Sequence, residues 1–223
     1  MRRTWACSSD VTDRDLLRRA LAGRVVAIVR LPDGAALLEV AEALVAGGIT
    51  TLEFTLTTPG AAEAIERCRA RFGEAVVVGA GTVRDADDAR RCLAAGAQFL
   101  VSPGFDPDVI AAARDGGALA MPGAMTPTEI LAAWRAGADV VKVFPARALG
   151  PRYIADVLAP LPDVLLMPTG GVDATNAADY LRAGAVAVAV GGNLIDAAVV
   201  ARADWNALVA RARALVDAVA TQE

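Results

Sequence analysis

The sequence predicts an α/β protein, a single (β/α)8 TIM barrel with an extra N-terminal helix. Three observations lead there. One theme repeats along the chain: an alanine-rich amphipathic segment ends in a glycine and a short Val/Ile/Leu run follows, at about the length of one βα unit. Eight such runs can be counted, alternating with eight helical patterns. And 223 residues is a size that one barrel can fill.

The elements follow in order. A helix is expected near 12–22, ahead of the first strand. Strands are expected near 25–30, 49–57, 75–80, 98–102, 118–121, 139–144, 164–168 and 185–190, and helices near 35–47, 60–71, 86–95, 107–115, 127–136, 150–159, 175–183 and 204–219. The junctions carry Gly47-Gly48, Gly73, Gly96, Gly116-Gly117, Gly137 and Gly184, each reading as a helix stopped by a glycine in the left-handed conformation before a buried strand. Asp106 before Pro107 and Thr126 before Pro127 read as N-caps with proline in the first turn. An open doubly wound sheet is the alternative, but no GxGxxG follows the first strand. No linker or low-complexity stretch interrupts the pattern, so 1–223 reads as one domain with 1–11 as a flexible tail.

Composition narrows the chemistry. The chain is 55% apolar with a mean hydropathy of +0.43, enough to build a core. A net charge of -4 and a pI near 5.0 argue against nucleic acid as a partner. There is no histidine, which excludes a Ser-His-Asp triad, a Cys-His pair and any histidine-ligated metal. All 22 basic residues except Lys142 are arginine. Cys7, Cys68 and Cys92 are odd in number and lack CxxC spacing, so a reduced, cytoplasmic setting is expected. The start has no apolar stretch like that of a signal peptide, and the uncharged region between Arg182 and Asp196 is too short to span a bilayer, so no membrane partner is expected.

In a barrel, chemistry sits where the strands end. Alternation along 51–57 puts Glu53, Thr55 and Thr57 on one face and Leu52, Phe54 and Leu56 on the other; the apolar set belongs against the helices, which points Glu53 inward. A buried carboxylate needs a cationic or protonated partner. Lys142 lies in the apolar strand Val140-Val141-Lys142-Val143-Phe144, where desolvation lowers the amine pKa and frees a nucleophile. A lysine snorkelling to solvent is the competing reading, weakened because arginine serves that purpose elsewhere. Arg30 ends the first strand and suits a carboxylate; Thr82 follows Gly79-Ala80-Gly81 with a hydroxyl. Pro103 and Pro122 sit in Pro-Gly turns that shape the rim. Thr169-Gly170-Gly171 and Gly191-Gly192-Asn193, the latter followed by a short helical stretch from Leu194, form the pattern of a phosphate site after strands seven and eight.

A nucleophilic amine beside an inward carboxylate suggests iminium chemistry on a 2-oxo acid, with Lys142 forming the Schiff base and Glu53 moving protons. No metal or cofactor is expected. The motifs LEFTLTT, GAGTV, FLVSPGF, MPGAMTPTE, VKVFPA and PTGGV then identify a resemblance, over roughly 16–220, to the bacterial 2-keto-3-deoxy-6-phosphogluconate (KDPG) aldolases, which overlap with the 4-hydroxy-2-oxoglutarate (KHG) aldolases. The resemblance implies Lys142 as Schiff-base lysine, Glu53 as general acid/base, Arg30 and Thr82 near the substrate carboxylate, Thr57 and Pro103 as further substrate contacts, and phosphate near Thr169, Gly170, Gly171, Gly191, Gly192 and Asn193. It also implies a homotrimer and cleavage to pyruvate and glyceraldehyde 3-phosphate in the Entner–Doudoroff pathway. Two positions depart: some members carry arginine where this chain has Thr57, and many carry serine where it has Asn193. The galactonate epimer and unphosphorylated 4-hydroxy-2-oxoglutarate stay open as substrates. A sugar-phosphate isomerase or epimerase, and a non-catalytic sensor of a phosphorylated acid, are the other readings.

Overall fold

The computed structural model describes residues 11–220. Cys7 and the expected tail, apart from residue 11, lie outside them. Residue 11 belongs to a helix. The chain runs α1 (Val11–Leu21), β1 (Val25–Val29), α2 (Leu37–Ala46), β2 (Thr51–Thr55), α3 (Ala61–Phe72), β3 (Val77–Gly81), α4 (Ala86–Ala94), β4 (Phe99–Val101), α5 (Pro107–Asp115), β5 (Leu119–Met121), β6 (Gly123–Ala124), α6 (Pro127–Arg135), β7 (Val141–Val143), α7 (Gly150–Leu158), β8 (Leu166–Pro168), α8 (Ala177–Arg182), β9 (Val188–Val190), α9 (Ala197–Ala201) and α10 (Trp205–Ala220).

All strand pairs are parallel. One sheet has the order β5-β4-β3-β2-β1-β9 and a second β6-β7-β8. They meet at two seams. At one, Thr169 bridges Ala189 and the Val186 N–H donates to the Leu166 carbonyl at 3.0 Å. At the other, the chain passes from β5 to β6 across Pro122. The expected fifth strand is β5, and β6 is a further short one beyond it, separated by Pro122, which has no N–H to give the ladder; the Pro122 carbonyl still accepts from Lys142 N–H at 2.9 Å.

Period-two alternation sorts the strand residues into two apolar clusters. Val26, Ile28, Val77, Phe99, Val101, Leu119, Met121, Val140, Leu165, Met167, Ala187 and Ala189 form the inner one. Their neighbours Ala27, Val29, Leu52, Phe54, Val78, Leu100, Ala120, Val141, Leu166 and Val188 join the helices in the outer one. By the same parity Arg30, Glu53, Thr55 and Lys142 belong to the inner face. Leu16, Leu17 and Leu21 of α1 pack on the inner cluster, and Thr51, at the start of β2, donates its hydroxyl to the Ala20 carbonyl at 2.9 Å. α1 thus lies against the end of the sheet where strands begin, leaving the end where they finish for the polar residues.

Gly48, Gly73, Gly96, Gly117, Gly137 and Gly184 all have positive φ, between 54° and 106°, as the helix-stop pattern predicts. Asp106 caps α5, and Thr126 with Glu129 forms a capping box on α6. Strands are shorter than their hydrophobic runs. Gly73–Ala75 turns as a 3-10 helix before β3, and β2 stops at Thr55, where Thr58 N–H closes a turn on the Thr55 carbonyl at 2.9 Å. Among the described residues no helix is long and apolar enough to cross a membrane.

The last helix packs on α2 through a glycine. A Cβ at Gly47 would collide with Cβ of Ala212 and stand 2.9 Å from the Val209 carbonyl oxygen. Gly47→Val is expected to destabilise by about 2 kcal/mol through overpacking. That corresponds to a Tm roughly 4–8 °C lower by differential scanning fluorimetry, at a domain of this size.

Candidate active site

The strand ends bring Glu53, Lys142 and Arg30 together. Lys142 is central in β7, paired with Gly123 of β6 and Met167 of β8, and is only 6% exposed. Glu53 is central in β2 and 1% exposed. Each feels the other's charge. Burial pushes the Glu53 carboxyl up from its ordinary value, more than the Lys142 and Arg30 charges pull it down. Burial pulls the Lys142 amine down, opposed by Glu53 and assisted by Arg30. Both groups are displaced toward their neutral forms. Glu53 Oε2 is buried without a hydrogen-bond partner. A buried carboxyl oxygen left unpaired in a native core costs stability and marks a group kept for another purpose.

Space for that carboxyl is made by β3. A Cβ at Gly81 would collide with Oε1 of Glu53. The glycines of GAG predict a close backbone approach, and what approaches is the Glu53 side chain. At the Lys142 end, Nζ lies 5.0 Å from the centre of the Phe144 ring. Phe144 is 39% exposed, an unusual place for so large an apolar side chain, and its ring face attracts a cation. In the sequence Phe144 reads only as an apolar flank of the lysine. Its position two residues on, at the end of the strand, was the signal that could have singled it out.

Arg30 leaves the end of β1 exposed, with Nη2 donating to Thr82 Oγ1 at 3.3 Å. Its backbone is held on both sides. Leu31 N–H donates to Thr58 Oγ1 at 3.0 Å, and Thr55 Oγ1 donates to the Val29 carbonyl at 3.3 Å. Thr82 has φ 61°, a left-handed backbone that a β-branched residue rarely adopts, so its hydroxyl is held toward Arg30 at a cost in strain.

Thr57 requires a correction. It is not a strand residue facing inward: β2 has ended, Thr57 is exposed in the following turn, and its hydroxyl donates back to Thr55 Oγ1 at 3.2 Å. Pro103 is exposed on the rim, its carbonyl packed where a Cβ at Gly123 would stand.

The two glycine loops lie side by side. Thr169 is buried, its hydroxyl donating to the Met167 carbonyl at 3.3 Å. Gly170 and Gly171 have φ 89° and 87°. The Gly170 carbonyl accepts from Arg147 N–H at 2.8 Å and the Gly171 carbonyl from Asn176 Nδ2 at 3.0 Å. The N–H groups of Gly171, Gly192 and Asn193 have no acceptor among the described residues. Gly192 is exposed in open space, while Gly191 packs 3.5 Å from the Ile28 Cβ at the position a Cβ would take. Asn193 donates Nδ2 to the Val172 carbonyl at 3.1 Å and so ties the second loop to the first. The helical stretch expected from Leu194 is a turn. Leu194 and Ile195 N–H groups both donate to the Gly191 carbonyl, and the helix begins at Ala197, its N-terminus already capped by the Asp196 carboxylate. Free loop amides remain to attract an anion, without that helix dipole.

The arrangement can hold a 2-oxo acid over an amine displaced toward its neutral form, with a carboxyl group to exchange protons and a loop cluster to take a distal anion. Over residues 17–211 the chain matches the family described as KDPG and KHG aldolase. It is 38% identical to the 2-dehydro-3-deoxy-phosphogluconate aldolase of Treponema pallidum, covering 90% of this chain and 94% of that one. It is 39% identical to a probable 2-dehydro-3-deoxy-6-phosphogalactonate aldolase of Rhizobium meliloti, covering 68% and 72%. It also resembles the structure of KDPG aldolase from Legionella pneumophila with pyruvate captured as a covalent carbinolamine, with a TM-score of 0.81, 28% identity, and 91% and 97% of the two chains covered.

Lys142 is the only lysine, so amine labelling followed by peptide mapping reads its titration alone. The labelling midpoint is expected below the ordinary 10.5. Glu53→Gln removes the group that raises the amine pKa and should move the midpoint further down; Arg30→Leu removes a charge that lowers it and should move it up.

Proposed function

The chain belongs to the KDPG and KHG aldolase family and is an aldehyde-lyase, and from that premise we propose how its residues divide the work. It is a class I aldolase that cleaves 2-keto-3-deoxy-6-phosphogluconate to pyruvate and glyceraldehyde 3-phosphate, and 4-hydroxy-2-oxoglutarate to pyruvate and glyoxylate. The observation that carries the reading is the buried Lys142 amine, displaced toward neutrality opposite a carboxyl displaced the same way.

Neutral Lys142 Nζ attacks the C2 carbonyl carbon, and the carbonyl oxygen takes a proton from Glu53. Glu53 then takes the extra proton from the carbinolamine nitrogen and passes it to the hydroxyl, which leaves as water, so that an iminium forms and Glu53 ends as a carboxylate. Its positive charge lies between the Glu53 carboxylate and the face of Phe144. Glu53, now a base, draws the proton from the C4 hydroxyl. The C3–C4 electron pair moves into the iminium as an enamine, and the aldehyde leaves. Protonation at C3 and hydrolysis return pyruvate and the free amine. Arg30 and Thr82 receive the substrate carboxylate; the exposed Thr57 and Pro103 border the same mouth. Gly170, Gly171, Gly191, Gly192 and Asn193 form the phosphate end, with Thr169 as a buried support. The pairing of a gluconate relative with a galactonate one leaves the C4 epimer as the alternative substrate.

The same reading extends to the whole molecule. The two sheet seams and the alternating inner cluster support a closed (β/α)8 barrel plugged at one end by α1, and the unbroken βα pattern supports one domain. Phe105 and Met125, large apolar side chains left exposed, support burial against further copies in a homotrimer. A cytoplasmic setting agrees with the reduced cysteines and with the lack, among the described residues, of a helix able to span a membrane.

Borohydride added with pyruvate is expected to leave a pyruvyl adduct on the peptide that carries Lys142, read by mass spectrometry. Lys142→Arg, which keeps charge but cannot form an imine, should lose the adduct and lower kcat by at least about 1,000-fold. A variant retaining activity would support an isomerase that uses only the positive charge.

A further inference from the structure

The phosphate reading of the glycine loops leaves one nearby cation unused. Arg147 lies in the 3-10 turn Ala146–Ala148, directly after the strand that carries Lys142. That turn is fastened to the loop after β8: Ala146 N–H donates to the Thr169 carbonyl and Arg147 N–H to the Gly170 carbonyl, both at 2.8 Å. The Arg147 side chain then runs along Gly171. A Cβ there would stand 2.5 Å from Arg147 Cβ and 3.5 Å from its Nε. Glycine at 171 is thus needed for its left-handed φ and also for the arginine stem to lie against the loop.

Two further facts bear on its role. Arg147 is exposed, and among the described residues it has no ion-pair partner to compete with a ligand. The loop it covers turns both glycine carbonyls onto fixed donors, while the N–H groups of Gly171, Gly192 and Asn193 have no acceptor among the described residues. A guanidinium held against a rim of free amides is a site for a doubly charged oxyanion.

We propose that Arg147 is a specificity-determining residue that receives the substrate phosphate jointly with the amides of Gly171, Gly192 and Asn193, and so selects phosphorylated over unphosphorylated 2-oxo acids. The proposal rests on the aldolase reading of the site. It also supplies what the sequence departure at 193 removes: the Asn193 side-chain amide is spent tying the loops together while its backbone N–H stays free, and the arginine provides a second donor set.

The test compares wild type with Arg147→Ala and Arg147→Lys. Cleavage of 2-keto-3-deoxy-6-phosphogluconate and of its unphosphorylated counterpart is followed by pyruvate release, and protection by inorganic phosphate is followed by thermal melting. In Arg147→Ala, KM for the phosphorylated substrate should rise roughly 10- to 100-fold, the size of a lost charge-assisted contact, with kcat within about twofold. KM for the unphosphorylated acid should stay within about twofold, phosphate protection should vanish, and lysine should restore part of both. Equal effects on the two substrates, no effect on either, or phosphate protection that is absent in wild type or unchanged in Arg147→Ala overturns the proposal. Wild type cleaving neither substrate overturns the aldolase reading instead, and the melting arm still decides whether Arg147 binds phosphate.

Discussion

The structure is organised around the desolvation of one amine and one carboxyl on the inner face of a curled parallel sheet. In water both would be charged. Between Met167, Gly123 and the inner apolar cluster, charge is expensive, and Glu53 and Lys142 settle toward neutral forms. That reverses the usual roles of the two residue types. In the proposed reaction the lysine serves as the nucleophile and the glutamic acid as the proton donor, without any histidine in the chain. Arginine could not take the place of Lys142, because its pKa lies too high for burial to neutralise it.

Keeping two such groups buried costs stability, and the surroundings show where. Glu53 Oε2 has no hydrogen bond, Gly81 gives up a side chain to make room for the carboxyl, and Thr82 holds a backbone conformation unfavourable for its type. These three features lie on adjacent strands β2 and β3 or just past their ends. The rest of the sheet is packed with aliphatic residues on both faces, which is the source of stability that lets the site remain strained.

The two ends of the strands differ for a related reason. Where strands begin, leucines of α1 close the inner cluster with apolar contact. Where they finish, glycines and prolines keep the backbone near any ligand. The loops there are nonetheless fixed: Asn176, Asn193 and the Arg147 backbone each hold a carbonyl of the loop after β8. Carbonyls so engaged cannot turn toward an anion and repel it, while the N–H groups of Gly171, Gly192 and Asn193 have no acceptor among the described residues.

Much of this was legible before any coordinates. The repeat of helix, glycine and strand located every helix of the βα pattern within a few residues, because a left-handed glycine and a buried Val/Ile run are local signals. The lone Lys142 and the parity of Glu53 followed from composition and from alternation, both properties of the chain alone. Misplacements arose where short-range turns and a proline set the limits of an element, which hydrophobic alternation does not encode. Thr57 left the strand because a threonine turn closed on Thr55; a short strand not foreseen, β6, follows Pro122; the turn after Gly191 delayed α9 until Asp196 could cap it. Phe144 over the amine, Gly81 beneath the carboxyl and Arg147 along Gly171 join residues from different elements, and no periodicity in one segment encodes such a distance. The sequence by itself determined which residue types face the interior and which can react. Only the tertiary structure decided how far each is removed from water and from its neighbours, since desolvation and charge act through space between elements the chain order keeps apart.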